Sequence, residues 1–264
     1  MNKSSLDTPF ADQFSYELDI SEEAGVRSLH FGSEWIQGSM RIRRPFALEL
    51  AYTREMMACL LLRPEAAWPR RTLLIGLGAG SLAKYIYRHL PQAKITAVEI
   101  DPRIPSMARN YFSLPDDPRR LKVVIADAAE YIEQAKGRYD AIFVDGYGPQ
   151  GQVPQLDTIG FYRACLARLS SQGVLISNLL SRSRGYAASA ERIRKAFEQR
   201  AMVFPSLDSG NAVAFGACGD AVDVKLDEMR AQAIELKQNT GLDLRPTITR
   251  LQLVQSLPRG RLLL

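Results

Sequence analysis

Histidine is nearly missing from this chain of 264 residues: only His30 and His89 occur. A His-rich metal centre or a Ser-His-Asp triad is therefore short of parts, and no metal is expected. The three cysteines, Cys59, Cys165 and Cys218, are far apart, odd in number and without a CxxC pair. Neither a disulfide framework nor a zinc knuckle is indicated, and a reducing cytoplasm fits. No apolar run is long enough to cross a bilayer, and the opening MNKSSLDTPF has no apolar signal core, so a cytoplasmic protein with no membrane partner is expected. There is no large excess of one charge. Lys and Arg number 34 against 29 Asp and Glu, and the basic residues cluster only briefly, as at Arg41, Arg43 and Arg44; nucleic acid is not an expected partner. Repeats and low-complexity tracts are also absent. What remains, 46% hydrophobic and 24% charged residues, suits one sizeable globular core.

The polar residues 1–13 read as a loose terminus. Phe14 to about Ile42 holds short alternating stretches, SYELDI, VRSLHF and WIQGSMRI, broken by Gly25 and by Gly32-Ser33, the pattern of a small β-hairpin or meander. Phe46 to Leu62 has helical spacing, with Pro45 suited to its first turn and Arg63-Pro64 as its stop. From Thr72 strand and helix alternate, which predicts a parallel sheet covered on both faces. Strands are expected at 72–77, 94–99, 121–126, 140–145, 173–179, 202–207 and 212–217, with helices near 80–90, 102–111, 128–135, 158–170 and 186–199. Only Asp208-Ser209-Gly210-Asn211 separates the last two strands, so they must form an antiparallel hairpin. Five parallel strands and a terminal antiparallel hairpin make an α/β, Rossmann-like plan, that of the S-adenosylmethionine-dependent methyltransferase fold; an NAD oxidoreductase would continue with a parallel sixth strand. Residues 1–68 then form the β-hairpin region and linking helix, 69–219 the nucleoside-binding catalytic domain, and 220–264 a tail with one helix near 225–238 and an apolar end of unassigned structure.

Ligands of such sheets lie beyond the carboxyl ends of the strands. The first strand runs into Gly76-Leu77-Gly78-Ala79-Gly80, with a helix opening at Ser81. Backbone N–H groups converge there on a nucleotide, although GxGxG also serves tight turns without a ligand. Glu99 ends the second strand, where a carboxylate can accept both ribose hydroxyls; Asp101, before Pro102, suits a helix cap. Asp127 ends the third and serves either an adenine amino group or the next helix N-terminus. Asp145 ends the fourth, in FVDGYGP, and with Tyr147 in the same loop forms the catalytic candidate. An amine attacking a sulfonium must be neutral, and its ordinary pKa is about 10, so a nearby carboxylate orients it and takes its proton. Asn178 ends the fifth strand.

These residues resemble the spermidine synthase (polyamine aminopropyltransferase) family from roughly Tyr16 to Gly216. The shared parts are a β-hairpin region containing Gln37, a helix containing Tyr52, the glycine turn, VEID, the ADA at 126–128, the Asp145 loop and a Phe161-Tyr162 helix before GVLISN. The resemblance implies that the turn (Gly76, Gly78, Gly80) and Glu99 hold decarboxylated S-adenosylmethionine as co-substrate, that Asp127 contacts adenine, and that Asp145 activates a small-molecule amine or polyamine. Gln37 and Tyr52 match positions touching cofactor or substrate, and a homodimer is implied. Two departures stand out. The family's glycine loop carries an aspartate where Ala79 stands, and the second acid of its D-x-x-D-P loop is Gly148 here. Each lost charge-assisted hydrogen bond is worth roughly 1.5–3 kcal/mol, and Asp157 and Asp208 are the candidate substitutes. Two alternatives use the same cradle: an S-adenosylmethionine-dependent methyltransferase acting on a less cationic acceptor, and a nucleoside-binding protein without turnover.

Overall fold

A computed structural model describes residues 14–63, 65, 67–149, 151–207, 210–254 and 257–264; the expected loose terminus 1–13 and Asp208 lie outside the described residues. The chain opens with an antiparallel meander of β1 (Leu18–Glu23), β2 (Val26–Phe31) and β3 (Ile36–Arg41) in the order β1-β2-β3. The short helix α1 (Ala51–Met56) follows and passes into a 3-10 turn at Met57–Leu61. The helical periodicity from Phe46 is thus realised only from Ala51. Upstream, the Glu49 carboxylate is held by Arg41 of β3, and the carbonyls of Leu48 and Glu49 accept from the Arg54 guanidinium. Those acceptors go to a side chain instead of a helical ladder, and Pro45 sits in a turn outside the helix.

The central unit alternates as predicted: β4 (Arg71–Ile75), α2 (Ser81–His89), β5 (Lys94–Glu99), α3 (Ile104–Phe112), β6 (Leu121–Ile125), α4 (Ala128–Gln134), β7 (Tyr139–Val144), a two-rung ribbon of β8 (Tyr147–Gly148) and β9 (Gly151–Gln152), α5 (Ile159–Ala167), β10 (Leu169–Leu180), α6 (Tyr186–Ala196), β11 (Ala201–Pro205) and β12 (Asn211–Ala217). Seven of these strands form one sheet in the order β11-β12-β10-β7-β4-β5-β6. β4, β5, β6, β7 and β10 run parallel, while β12 lies antiparallel between β10 and β11. The alternation of side chains along each strand divides the core. Leu74, Phe143 and Ile176 face one buried cluster with Leu82 and Ile86 of α2 and Ile104 of α3. Leu73, Ile75, Ile142, Val144 and Leu175 face the other, with Ile132 of α4, Phe161 of α5 and Ile193 of α6. Both faces are covered, which is why these strands read as continuous apolar runs.

The tail is more ordered than its sequence suggests. β13 (Asp223–Lys225) leads into α7 (Leu226–Thr240), α8 (Arg245–Val254) follows, and β14 (Arg261–Leu263) returns to pair with β13. Leu244, Ile248, Leu251 and Leu262 join the same buried cluster as Leu29 of the meander and Leu74 of the sheet, so all three expected segments share one core. Among the described residues no helix is long and apolar enough to cross a membrane.

Candidate active site

β4 and β7 are neighbours from which the chain proceeds in opposite directions, and a cavity of about 160 Å³ opens at the carboxyl ends of the strands there. Gln37, Tyr52, Gly76, Gly78, Glu99, Asp127, Asp145, Tyr147 and Asn178 all line it. Gly80 does not. It is the residue before α2, at φ 69°, and a Cβ there would meet Leu114 at 2.7 Å; its role is conformational. Gly76 has φ 90°, and its bare Cα lets the turn pass against the Asp145 carbonyl, 2.4 Å from where a Cβ would stand.

Glu99 is buried and heavily engaged. Its Oε2 accepts from the Leu77 N–H at 2.9 Å, and its Oε1 from Ile100 and Asp101 at 2.8 and 3.0 Å. Burial pushes this carboxyl up, and the three N–H donors pull against that rise. Asp127 caps α4, Oδ1 accepting from Ala129 and Glu130, while Oδ2 accepts no hydrogen bond among the described residues. It therefore combines the capping role with a position on the cavity wall. Asp101 stands at the entry to α3, two residues before the flanking Arg103. It accepts the Arg103 N–H at 2.9 Å, is gripped by the Arg103 guanidinium and receives the Tyr16 hydroxyl at 2.9 Å. Burial works upward on its carboxyl, but those partners outweigh it and hold the group low.

Asp145 faces the glycine turn. Its Oδ1 accepts from Asn178 Nδ2 at 2.8 Å and its Oδ2 from the Tyr52 hydroxyl at 3.2 Å. Enclosure by protein raises its carboxyl above the usual range, and these two hydrogen bonds offset part of the rise; the exposure it retains is to the cavity. Asn178 Oδ1 is buried with no partner among the described residues. Tyr147 donates to the Asn178 carbonyl at 2.7 Å, and burial, then the neighbouring Asp145 charge, pushes its phenol well above 10. It stays protonated and acts as a donor, not a base.

The two positions where the resemblance implies an acid have distinct surroundings. Ala79 is buried, and its methyl packs where Gly38 of β3 lacks a side chain. A void of about 20 Å³ adjoins it, lined by Gln37, Tyr52, Thr53, Ser81 and Asp145 among others, room for one water. Gly148 has open space around it. Asp157 is no substitute: it accepts from Tyr162, Ser189 and Arg192 and does not line the cavity. Sequence reasoning missed Trp35, Leu156 and Asn211, which also line the cavity. Trp35, 59% exposed, gave one signal: an aromatic next to Ile36, beside a Gly-Ser turn with no helix or long strand to bury it. Among the described residues no group of three or more His, Cys, Asp or Glu could hold a metal.

The sheet order with its glycine turn at the switch point defines a Rossmann-like protein of the methyltransferase-fold class. The spermine/spermidine synthase domain matches residues 49–204. A polyamine aminopropyltransferase of Chromobacterium violaceum is 36% identical over 248 residues, 94% of each chain. A probable spermidine synthase of Corynebacterium glutamicum shares the fold at TM-score 0.70 and 22% identity, over 87% of this chain and 86% of that one. A spermidine synthase solved with the transition-state analogue AdoDATO gives TM-score 0.59 and 25% identity, over 76% and 73%. The chain belongs to the spermine/spermidine synthase family, and it is a transferase of the aminopropyl-transferring type.

Proposed function

We propose that the protein moves an aminopropyl group from decarboxylated S-adenosylmethionine to an amine or polyamine, with Asp145 as proton acceptor. The observation that carries this is the Asp145 carboxylate, held between Tyr52 and Asn178 at the end of β7 and opposite Glu99 and Asp127 in one cavity. The cradle fits an adenosyl donor: the Gly76 and Gly78 turn leaves backbone where a side chain would intrude, Glu99 offers the ribose a fixed carboxylate, and Asp127 Oδ2 is open to the adenine amino group. The amine lone pair attacks the propyl carbon bonded to sulfur. The C–N bond forms as the C–S bond breaks, its electron pair going to sulfur, and methylthioadenosine leaves as a neutral thioether. The proton shed by nitrogen passes to Asp145. An amine with a pKa near 10 releases its proton more readily to a carboxylate whose own pKa is raised. The family's acids at the positions of Ala79 and Gly148 are absent, so Asp145 and the Tyr52 hydroxyl carry more of the amine recognition. Methyl transfer from S-adenosylmethionine is the weaker reading, since the 36% identical relative bears the name of an aminopropyltransferase. The family reading also carries a cytoplasmic homodimer; sedimentation at micromolar concentration checks the assembly.

The test is methylthioadenosine release from decarboxylated S-adenosylmethionine and a diamine. Asp145→Asn is expected to lower turnover by about 10²–10⁴-fold and to leave methylthioadenosine binding nearly unchanged. The acid limb of kcat/KM should lie above the ordinary carboxylate range, activity falling as Asp145 takes up a proton. Undiminished turnover in the variant, or methyl transfer alone in the wild type, refutes the proposal.

A further inference from the structure

We propose that Arg250 of the C-terminal helix α8 is a positioning residue for the Tyr52–Asp145 pair, acting through Glu55; this rests on Asp145 being the proton acceptor. Helix α1 is six residues long, too short to hold its own orientation without tertiary support. Tyr52 and Glu55 stand three apart on it, neighbours on one helical face. Glu55 is 4% exposed. Its Oε1 accepts from the Leu207 N–H at 3.1 Å and from the Arg250 guanidinium, which also donates to the Pro205 carbonyl at 2.8 Å. The end of β11, helix α1 and helix α8 thus meet at one carboxylate oxygen. Glu55 Oε2 and Arg250 Nε find no partner among the described residues, so the Glu55–Arg250 contact runs through Oε1. A buried carboxylate stripped of its cation is left uncompensated and moves toward other partners. That movement shifts α1, and the Tyr52 hydroxyl already reaches Asp145 at 3.2 Å, near the limit of a hydrogen bond.

The readout is Asp145 itself. Tyr52 faces it from α1, Tyr147 from its own loop, and Glu99 and Asp127 line the same cavity; only Tyr52 shares an element with Glu55. The full-length protein is labelled with carboxyl-¹³C aspartate, and the Asp145 resonance is identified by its loss in Asp145→Asn. Losing the Tyr52 donor removes a bond to the charged form, so Tyr52→Phe and Arg250→Met should each move the titration to higher pH. Together they should move it no further than Tyr52→Phe alone, and Arg250→Lys should return it partway. Turnover in Arg250→Met should fall about tenfold with methylthioadenosine affinity unchanged within about twofold. If Arg250→Met does not fold, Glu55→Gln with Arg250→Met removes the unpaired buried charge and should show the same shift. An unmoved titration in a folded variant, or shifts that add in the Tyr52→Phe/Arg250→Met double, overturns the proposal. The titration is read without turnover, so absence of aminopropyl transfer in the wild type refutes the proposed function alone.

Discussion

Gly76→Ala puts one methyl between the glycine turn and the backbone of Asp145. That carbon would stand 2.4 Å from the Asp145 carbonyl oxygen, 2.9 Å from its carbon and 3.1 Å from Gly146 Cα. Ordinary contact begins at 3.4 Å, so the Asp145 backbone must recede by about 1 Å, a displacement that costs roughly 10²-fold in rate where it misplaces a reacting group. The segment cannot yield freely, because the Asp145 N–H donates to the Ile75 carbonyl and the Gly76 N–H to the Val98 carbonyl, both at 2.9 Å. Alanine at a φ of 90° adds about 1–2 kcal/mol of strain, and for a chain of this size each kcal/mol lowers Tm by roughly 2–4 °C. Turnover measured as methylthioadenosine release should fall about a hundredfold, with a lower Tm by calorimetry. Gly148→Ala, whose surroundings are open, is the control and should be nearly silent. A folded Gly76→Ala enzyme with turnover within about threefold of wild type would refute the idea that the turn sets the position of Asp145.

Glu99→Gln swaps an acceptor-only group for one whose NH₂ must face at least one of three backbone N–H donors. Methylthioadenosine affinity should drop at least tenfold by calorimetry, a loss of about 1.4 kcal/mol or more; an unchanged Kd would make Glu99 a purely structural cap. Gly148→Asp has room for its side chain and should lower KM for diamines without raising turnover on a monoamine, a comparison steady-state kinetics makes directly. Lys84, 1% exposed and bonded through Nζ to the Phe112 carbonyl, is pushed by burial from 10.5 down to about 7. Between about pH 7 and pH 10 the unfolded chain holds the extra proton, so this group's contribution to stability rises with pH; below pH 7 the full cost, about 5 kcal/mol, is present. Lys84→Met removes that cost but orphans the carbonyl for about 1–3 kcal/mol. The variant should be more stable by about 2–4 kcal/mol at pH 6 and show no gain at pH 10 in urea melts; equal effects at both pH values would exclude the buried-charge explanation.

Much of the central unit is written locally. Buried parallel strands need apolar runs, crossover helices need a second period, and the four residues 208–211 leave no length for a crossover, so the antiparallel pairing of β11 with β12 follows from chain length alone. Glu99, Asp127, Asp145 and Asn178 were findable because the ends of parallel strands converge, a rule that converts position in a strand into position in a site. Gly80 has the spacing of a ligand turn but does not line the cavity, because Leu114, thirty-four residues on, occupies the space above it. Asp157 lies outside the cavity because its three partners come from two later helices.

What local sequence determined here is the alternation, the hairpin and the strand-end residues of the cavity, since each depends on periodicity, turn length or the residue at a strand end. Tertiary structure alone decided the start of α1, where Arg54 claims the Leu48 and Glu49 carbonyls a helix would use. It also decided the place of the 220–264 tail, whose Leu244, Ile248 and Leu251 acquire meaning only against the core they complete. The grip of Tyr52 and Asn178 on Asp145 belongs to the same class, because hydrogen bonds spanning 93 and 33 residues form only after the sheet has brought their elements together.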